Sequence, residues 1–288
     1  MFIRTILCLA LIAGMQLTAS AGPFTTVYNF DAIRDQLDTL DSNSLVIFDY
    51  RSVIGIQADI YDRGFKKERA QGKTIRGIRN LQSVHHKNLS QHEREKLRHI
   101  HKKAFSVFIL IDPSLPKLIK KLQNRGIKVI VLTHFELSAC NKKNNSRYKD
   151  LLRYGINLSS SFPDHKNIIF TDIGSNNHTP NFCRGILSNG NSCSKGDLLV
   201  TFFQHINWQP KHVIFFDNSS KQLHSVQQAL EKINIPFQGF EYLGAQKMPA
   251  IFDPVVAAFQ LDYLVKHKRW LHSSEAIALI ENGAMDID

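Results

Sequence analysis

The stretch LVIFDYRSV at residues 45–53 consists of an apolar run that ends in an aspartate, Asp49. A second stretch, HVIFFDNS at residues 212–219, has the same form and ends its apolar run in Asp217. Short continuous apolar runs of this kind are typical of strands that are buried on both faces of a parallel sheet. Polar groups at the carboxyl ends of neighbouring strands in such a sheet converge on one crevice, so we expect Asp49 and Asp217 to meet there.

Two further pieces lie between these strands and carry polar groups that suit the same crevice. IKVIVLTHF at residues 127–135 predicts a strand that ends at Thr133, and KGDLL at residues 195–199 predicts a helix that opens with Lys195. Strand and helix patterns alternate from residue 116 to residue 268. This alternation predicts an α/β fold, with a doubly wound and mostly parallel sheet that helices cover on both faces.

The order and content of these four pieces resemble the haloacid dehalogenase-like superfamily, most of whose members are phosphohydrolases. More narrowly, the chain is similar to a bacterial family of unknown function within that superfamily, with an amino-terminal signal peptide. The similarity rests on NRGIKVIVLTHF (124–135), RYKDLLRYGINLS (147–159), HVIFFDN (212–218) and FDPVVAAFQLDYL (252–264). It spans roughly residues 40–275 and implies a Rossmann-like core with a helical cap inserted after the first motif strand.

The resemblance also implies a role for each polar residue of these motifs. Asp49 would attack phosphorus as the nucleophile, and Thr133 would hold the transferring phosphoryl group through its hydroxyl. Lys195 would neutralise developing negative charge, and a Mg²⁺ ion would be held by Asp49, Asp217 and Asn218. These roles suit the chemistry, because phosphoryl transfer depends mainly on in-line positioning and on cations near the spreading negative charge.

Arg51 departs from the superfamily pattern, which has a second aspartate two residues after the nucleophile. An arginine keeps its proton at neutral pH, and losing a positioned general acid costs about 10²–10⁴-fold in rate. We therefore expect weak hydrolysis that favours good leaving groups, unless another residue, such as His85 or His86, supplies the proton. Facing the crevice, Arg51 would bind phosphate beside Thr133 and Lys195 and weaken Mg²⁺ binding; facing outward, it would form a salt bridge.

Other interpretations stay open on the sequence alone. Either aspartate by itself could be the N-cap of a following turn. A phosphate pocket with Arg51 as a bidentate clamp would suit a catalytically inactive protein that binds an anion or a partner. A basic protein that binds an anionic membrane surface or nucleic acid could also keep a vestigial site, although few aromatic residues accompany the basic ones.

The formal net charge of +11 is concentrated in one segment. Residues 56–105 contain thirteen Lys or Arg residues and five histidines against five acidic residues. The segment lies where the superfamily places its cap, and Ser90 with Glu93 forms a helix-capping sequence within it. A basic cap predicts an anionic partner, in the first place a phosphorylated small molecule attracted by electrostatic steering; the alternative is a basic face that only contacts solvent.

The sequence predicts a signal peptide, two core segments, a cap and a tail. The signal peptide is residues 1–21, and the core consists of residues 22–55 and 106–275. The cap is residues 56–105, and the tail, residues 276–288, is acidic and expected to be loose. The signal peptide is predicted from Arg4, an apolar run too short to span a bilayer, and small residues before the cleavage point. We therefore expect export to the bacterial periplasm or medium and no transmembrane anchor; a buried amino-terminal helix is the alternative.

Cys183 and Cys193 flank the turn-rich stretch CRGILSNGNSC, whose Asn189-Gly190 pair is a strong hairpin signal. In a compartment that permits disulfides, we predict a bridge between these two cysteines, which would stiffen the approach to Lys195. The alternative is that both are unpaired structural cysteines. The histidines are scattered, and no CxxC or HxxxH ligand pair lies near another, so nothing in the sequence resembles a zinc site.

Overall fold

The structure, a computed structural model, describes residues 24–59, 87–104, 108–134, 146–175, 178–248 and 253–283. The predicted signal peptide lies outside the described residues, and so does the part of the predicted cap at residues 60–86, which includes His85 and His86. None of the helices in the described ranges combines the length and the apolar character needed to cross a lipid bilayer.

In the part of the chain that the structure describes, a mostly parallel sheet of eight strands lies at the centre of the fold. The described strands are β1 (Thr25–Val27), β2 (Ser44–Phe48), β3 (Gly55–Gln57), β4 (Phe108–Leu110), β5 (Lys128–Thr133), β6 (Asn167–Ile169), β7 (Asn181–Cys183), β8 (Ile186–Ser188), β9 (His212–Asp217) and β10 (Phe237–Tyr242). The large sheet has the order β1-β10-β9-β2-β5-β8-β7-β6, and β3 pairs with β4 in a separate two-stranded sheet. The first six strands in this order, from β1 to β8, are parallel to their neighbours. At the other edge of the sheet, β7 is antiparallel to β8 and β6 is antiparallel to β7.

Helices connect the strands and cover the sheet. The described helices are α1 (Arg34–Asp38), α2 (Gln91–Ala104), α3 (Leu115–Asn124), α4 (Ser146–Arg153), α5 (Lys195–His205), α6 (Ser220–Glu231), α7 (Pro254–His267) and α8 (Ser273–Glu281), with 3-10 turns at Asp31–Ile33 and Gly244–Lys247. Residues of β2 alternate between two buried clusters, with Val46 and Phe48 in one and Leu45 and Ile47 in the other. The sheet is therefore packed on both faces, which explains its unbroken apolar runs and confirms the predicted α/β class.

The parallel pairing of β2 with β9 positions the two predicted carboxylates. Phe48 lies opposite Phe216 in this pair, and the Asp49 backbone N–H donates to the Phe216 carbonyl at 2.8 Å. Asp49 and Asp217 therefore follow neighbouring strands at the same edge of the sheet. On the other side of β2, strand β5 ends at Thr133, so its hydroxyl joins the same edge.

The predicted hairpin turn at Asn189-Gly190 is wrong. The hairpin joins β7 and β8 through Arg184 and Gly185, whose φ angles are 48° and 89°. A Cβ on Gly185 would lie 2.3 Å from the Leu158 Cβ, so only glycine fits this turn. Asn189 and Gly190 instead follow β8 and lead toward α5.

The predicted bridge between Cys183 and Cys193 is also wrong. Cys183 is disulfide-bonded, but Cys193 is a free thiol. Cys183 pairs with Ile186 at the turn of the β7–β8 hairpin, and β8 then runs away from it at about 3.3 Å per residue. Cys193 therefore lies beyond the opposite end of the hairpin.

The predicted cap segment leaves and re-enters the core through one small sheet. β3 and β4 are antiparallel, so the two ends of the segment meet. The Ser90 capping sequence is confirmed at the start of α2: the Ser90 N–H donates to the Glu93 carboxylate at 2.9 Å, and the Glu93 N–H donates to the Ser90 hydroxyl at 3.3 Å. These hydrogen bonds lower the pKa of Glu93.

The carboxyl-terminal helices pack on this cap helix. Leu97 of α2 is buried in a cluster with four residues of the carboxyl-terminal region, Ala257, Leu261, Leu264 and Trp270. This cluster contains no described residue of the large sheet. The sequence-based domain bounds, in contrast, placed these carboxyl-terminal residues in the core segment 106–275. The expectation of a loose tail from residue 276 is wrong for residues 276–281, which belong to α8 and begin with a fully buried alanine.

Candidate active site

The side chains of Asp49 and Asp217 are joined by one lysine. The Lys195 ammonium donates to Asp49 Oδ1 at 2.7 Å and to Asp217 Oδ2 at 2.7 Å. All three side chains are buried, and Lys195 is only 1% exposed. The Asp217 carboxylate also accepts from the Ser219 backbone N–H at 2.9 Å through Oδ1, so both of its oxygens are occupied by donors.

The first turn of α5 delivers Lys195 to this position. The Ser194 hydroxyl caps the helix by accepting from the Asp197 N–H at 3.0 Å, so the helix begins at Lys195. Gly196 lets α5 approach α6 closely, because a Cβ at this position would lie 2.1 Å from the Ser225 carbonyl oxygen. The lysine stem can then cross the packed layer between helix and sheet and reach the strand ends.

Burial and charge oppose each other in this group of three residues. Burial raises the pKa of Asp217 to about 6, the Lys195 ammonium lowers it, and the nearby Asp49 carboxylate raises it. Burial alone would lower the pKa of Lys195, but its two carboxylate partners outweigh burial and raise it. Lys195 therefore stays positively charged in the folded protein at neutral pH.

All six predicted site residues line one cavity of about 520 Å³: Asp49, Arg51, Thr133, Lys195, Asp217 and Asn218. The wall includes charged, amide and hydroxyl groups, which suit a polar or ionic ligand. Arg51 forms no ion pair with any residue that the structure describes, so the outward salt bridge is not seen. Arg51 forms a backbone bridge with Gly55, which closes a short turn. Within this turn, Ser52 has a φ angle of 67°, in the left-handed region.

Sequence reasoning missed His134, which lines the same cavity directly after Thr133. Its Nδ1 lies 2.9 Å from Oδ1 of Asn189, a fully buried residue that follows β8. Its position in the sequence could have indicated this place, because a polar residue directly after a strand lies at the same edge of the sheet as the end of that strand. Asn191 and Ser219 also line the cavity and were not predicted.

The predicted metal ligands provide two carboxylates and one amide. Among the residues that the structure describes, no group of three or more His, Cys, Asp or Glu side chains is arranged to hold a metal ion. Oδ2 of Asp49 has no hydrogen bond to a described residue, and Asn218 is exposed on the cavity wall. Oxygen atoms of this kind suit a hard cation such as Mg²⁺, so the residues fit one that is completed by water or substrate.

The fold and the site together define an α/β protein with an acidic pair and a buried lysine at the carboxyl edge of a parallel sheet. The chain belongs to the family described as "Protein of unknown function (DUF2608)", whose sequence profile matches residues 26–277.

Two curated relatives come from Rickettsia and Chlamydia species. The "Uncharacterized protein RP296" of Rickettsia prowazekii is 28% identical over 174 residues, which are 60% of this chain and 62% of that protein. A protein of Chlamydia muridarum named "Putative outer membrane protein" is 28% identical over 176 residues, 61% of each chain. The chain thus covers less than two thirds of the length of these relatives.

A solved structure titled "Hydrolase, haloacid dehalogenase-like family protein SP0104 from Streptococcus pneumoniae" is also similar. The match covers 69% of this chain and 94% of that one, with 12% sequence identity and a TM-score of 0.35. At these values the likeness assigns no function to the chain.

Proposed function

We propose that the protein is a phosphomonoester hydrolase of the haloacid dehalogenase-like superfamily that forms an aspartyl-phosphate on Asp49. The observation that supports this most strongly is the pair of hydrogen bonds from Lys195 to Asp49 and Asp217, both of 2.7 Å. Burying these three charges costs free energy that exposure to water would avoid, and this cost at the wall of a cavity favours a catalytic role for them.

Asp49 suits the role of nucleophile. Its Oδ1 is held by Lys195, whereas its Oδ2 has no hydrogen bond to a described residue and can approach a phosphorus atom in the cavity. The hydrogen bond to Lys195 fixes the carboxylate in one orientation, which in-line attack requires. Thr133 and Lys195 then offer donors to the phosphoryl oxygens from the next strand and from α5.

Mg²⁺ is the cofactor that we propose, held by Asp49, Asp217 and Asn218. When bound, it would supply positive charge to the phosphoryl oxygens. Arg51 lines the same cavity and carries a permanent positive charge, which favours phosphate and opposes a second cation. We therefore expect weaker Mg²⁺ binding than a site with a carboxylate at position 51 would have.

The test is an assay of the purified protein with 4-nitrophenyl phosphate and Mg²⁺, together with the Asp49→Asn variant. Hydrolysis should be lost in that variant, because an amide oxygen is a poor nucleophile and carries no charge. Asp172→Asn is the matched control, since it makes the same chemical change at an exposed aspartate that pairs with His205. Equal activity in the wild type and Asp49→Asn would contradict the proposal.

A second candidate function is favoured by Arg51. A guanidinium that lines the cavity without an ion pair to a described residue is available to hold a phosphate through two parallel hydrogen bonds. The protein would then bind a phosphorylated small molecule or a partner without turnover. Calorimetric titration with inorganic phosphate separates the two: binding that is lost in Arg51→Gln, together with no hydrolysis, supports the inactive binding protein.

Export is part of the proposal and depends on the amino-terminal sequence. The features of residues 1–21 support a cleaved signal peptide and a periplasmic or secreted location. The basic segment at residues 56–105 supports an anionic substrate. Amino-terminal sequencing of the protein from a periplasmic fraction should begin at Gly22; an intact Met1 there would contradict cleavage.

A further inference from the structure

The replacement of the usual second aspartate by Arg51 leaves the proposed reaction without its proton donor. A phosphate ester with a poor leaving group releases an alkoxide unless a proton reaches the leaving oxygen. The donor must line the cavity, must be able to give a proton to an oxygen atom and take one up again, and must have an atom that is not already held by another group.

Among the described residues that line the cavity, five are titratable, and four of them fail these requirements. Asp49 is the nucleophile, and Arg51 does not release its proton. Lys195 is held by two carboxylates, which keep its proton in place. Asp217 is ion-paired with Lys195, accepts from the Ser219 N–H and is a proposed Mg²⁺ ligand, so its carboxylate already has another role.

His134 meets the requirements. The Asn189 side chain donates through Nδ2 to the Cys193 carbonyl, which fixes Oδ1 as the oxygen that faces His134. That oxygen also accepts from the Asn191 N–H at 3.1 Å. His134 must therefore donate from Nδ1, so Nδ1 keeps its proton in both charge states and Nε2 is the atom that exchanges one. Nε2 has no hydrogen bond to a described residue.

The partner of His134 is itself held firmly. Asn189 is fully buried, and its backbone N–H donates to the Thr133 carbonyl at 3.1 Å. Its own carbonyl accepts from the Ser192 N–H at 2.9 Å. The imidazole ring is therefore oriented by a residue that is tied to both β5 and the loop before α5, as a positioned acid–base group requires.

We propose that His134 is the acid–base residue of the reaction at Asp49, an inference that rests on the proposed hydrolase function. As Asp49 forms its bond to phosphorus and the ester P–O bond breaks, the leaving oxygen takes the proton from Nε2. Nε2 then accepts a proton from the water that attacks the aspartyl-phosphate. The Asp49–phosphorus bond breaks, inorganic phosphate leaves, and the imidazolium is restored.

The experiment compares His134→Gln with the wild type on a series of phosphate esters from 4-nitrophenyl phosphate to simple alkyl phosphates. Loss of a proton donor should lower kcat/KM for alkyl phosphates by about 100-fold or more and for the aryl phosphate by less than about 10-fold. A merely structural role would lower all rates by the same factor. Wild-type rates should depend only weakly on the leaving group, which can be measured without any variant.

The matched control is His205→Gln, which alters another histidine that bonds a side-chain oxygen, 3.1 Å from Asp172, but does not line the cavity. Its leaving-group dependence should equal that of the wild type. Equal losses across the series in His134→Gln, or a steep wild-type dependence, would overturn the role of His134 while leaving Asp49 as nucleophile. Turnover that does not depend on Asp49 would overturn both.

Discussion

At the scale of single residues, the site is an electrostatic balance around one buried ammonium group. Lys195 compensates Asp49 and Asp217, and removing it would leave two carboxylates together in a poorly solvated place. Breaking such a buried arrangement from one side costs about 3–5 kcal/mol. We therefore expect Lys195→Met to lower the free energy of unfolding by about this amount, as measured by urea denaturation. A loss as small as that of an exposed lysine, such as Lys121, would contradict this expectation.

The raised pKa of Asp217 predicts a pH dependence of stability. In the folded protein this pKa is about 6, against an ordinary value of 3.8, so between these values the folded state holds more protons than the unfolded chain. The stability that Asp217 contributes is present below pH 3.8 and is lost as pH rises through about 6. The difference in unfolding free energy between wild type and Asp217→Asn should therefore change by an amount on the order of 3 kcal/mol over this window. A constant difference would contradict the raised pKa.

The sequence predicted which strand-end residues belong to this site, but it did not predict the hydrogen bonds that link His134 to the rest of it. Asp49, Thr133 and Asp217 each end an apolar run, and the end of a strand is easily read from composition. His134 was missed because a single polar residue after a strand resembles the start of any loop. Its meaning depends on Asn189, 55 residues away, and no local pattern connects the two.

At the scale of elements, the contact between α5 and α6 determines where Lys195 lies. Gly196→Ala would place a methyl group in contact with the Ser225 carbonyl and push the helices apart. We expect a loss of about 1–3 kcal/mol in unfolding free energy and a fall in hydrolysis. Gln204→Ala, an exposed change on the same helix, should stay within about 0.5 kcal/mol of wild type. Equal stability of the two variants in denaturant titrations would contradict the close contact.

The hairpin shows why element prediction failed at one edge of the sheet. β7 and β8 are only three residues each, too short for their alternation to be recognised. The Asn189-Gly190 pair carried the stronger turn signal, but the side chain of Asn189 is engaged in the site instead. The disulfide prediction depended on that turn, so both errors have one cause.

At the scale of the whole molecule, the carboxyl-terminal helices and the start of the cap segment share a buried polar centre. Asp59 accepts from the Trp270 indole N–H at 3.0 Å and from the Ser273 hydroxyl at 2.9 Å. An amphipathic helix pattern shows that α7 has a buried face but not which surface covers it. The sequence therefore left the partner of α7 undetermined, and the structure identifies it as α2.

Removing the Asp59 carboxylate should loosen this attachment. In Asp59→Ala, the Trp270 and Ser273 donors stay buried without their acceptor, which costs about 1–3 kcal/mol for each group. Hydrogen exchange in α7 and α8 should become faster in this variant. In Asp35→Ala, an exposed change in α1, exchange in these helices should be unchanged. Equal protection in both variants would show that Asp59 does not hold the helices.

In the proposed reaction, Asp49 becomes covalently bonded to phosphorus. The most direct measurement is rapid acid quenching of the protein during turnover of an aryl phosphate, followed by peptide mass spectrometry. We expect a phosphoryl group on the peptide that contains Asp49, and none in the Asp49→Asn variant treated in the same way. Turnover with no phosphoryl group on the protein, or with one on a different residue, would contradict this expectation.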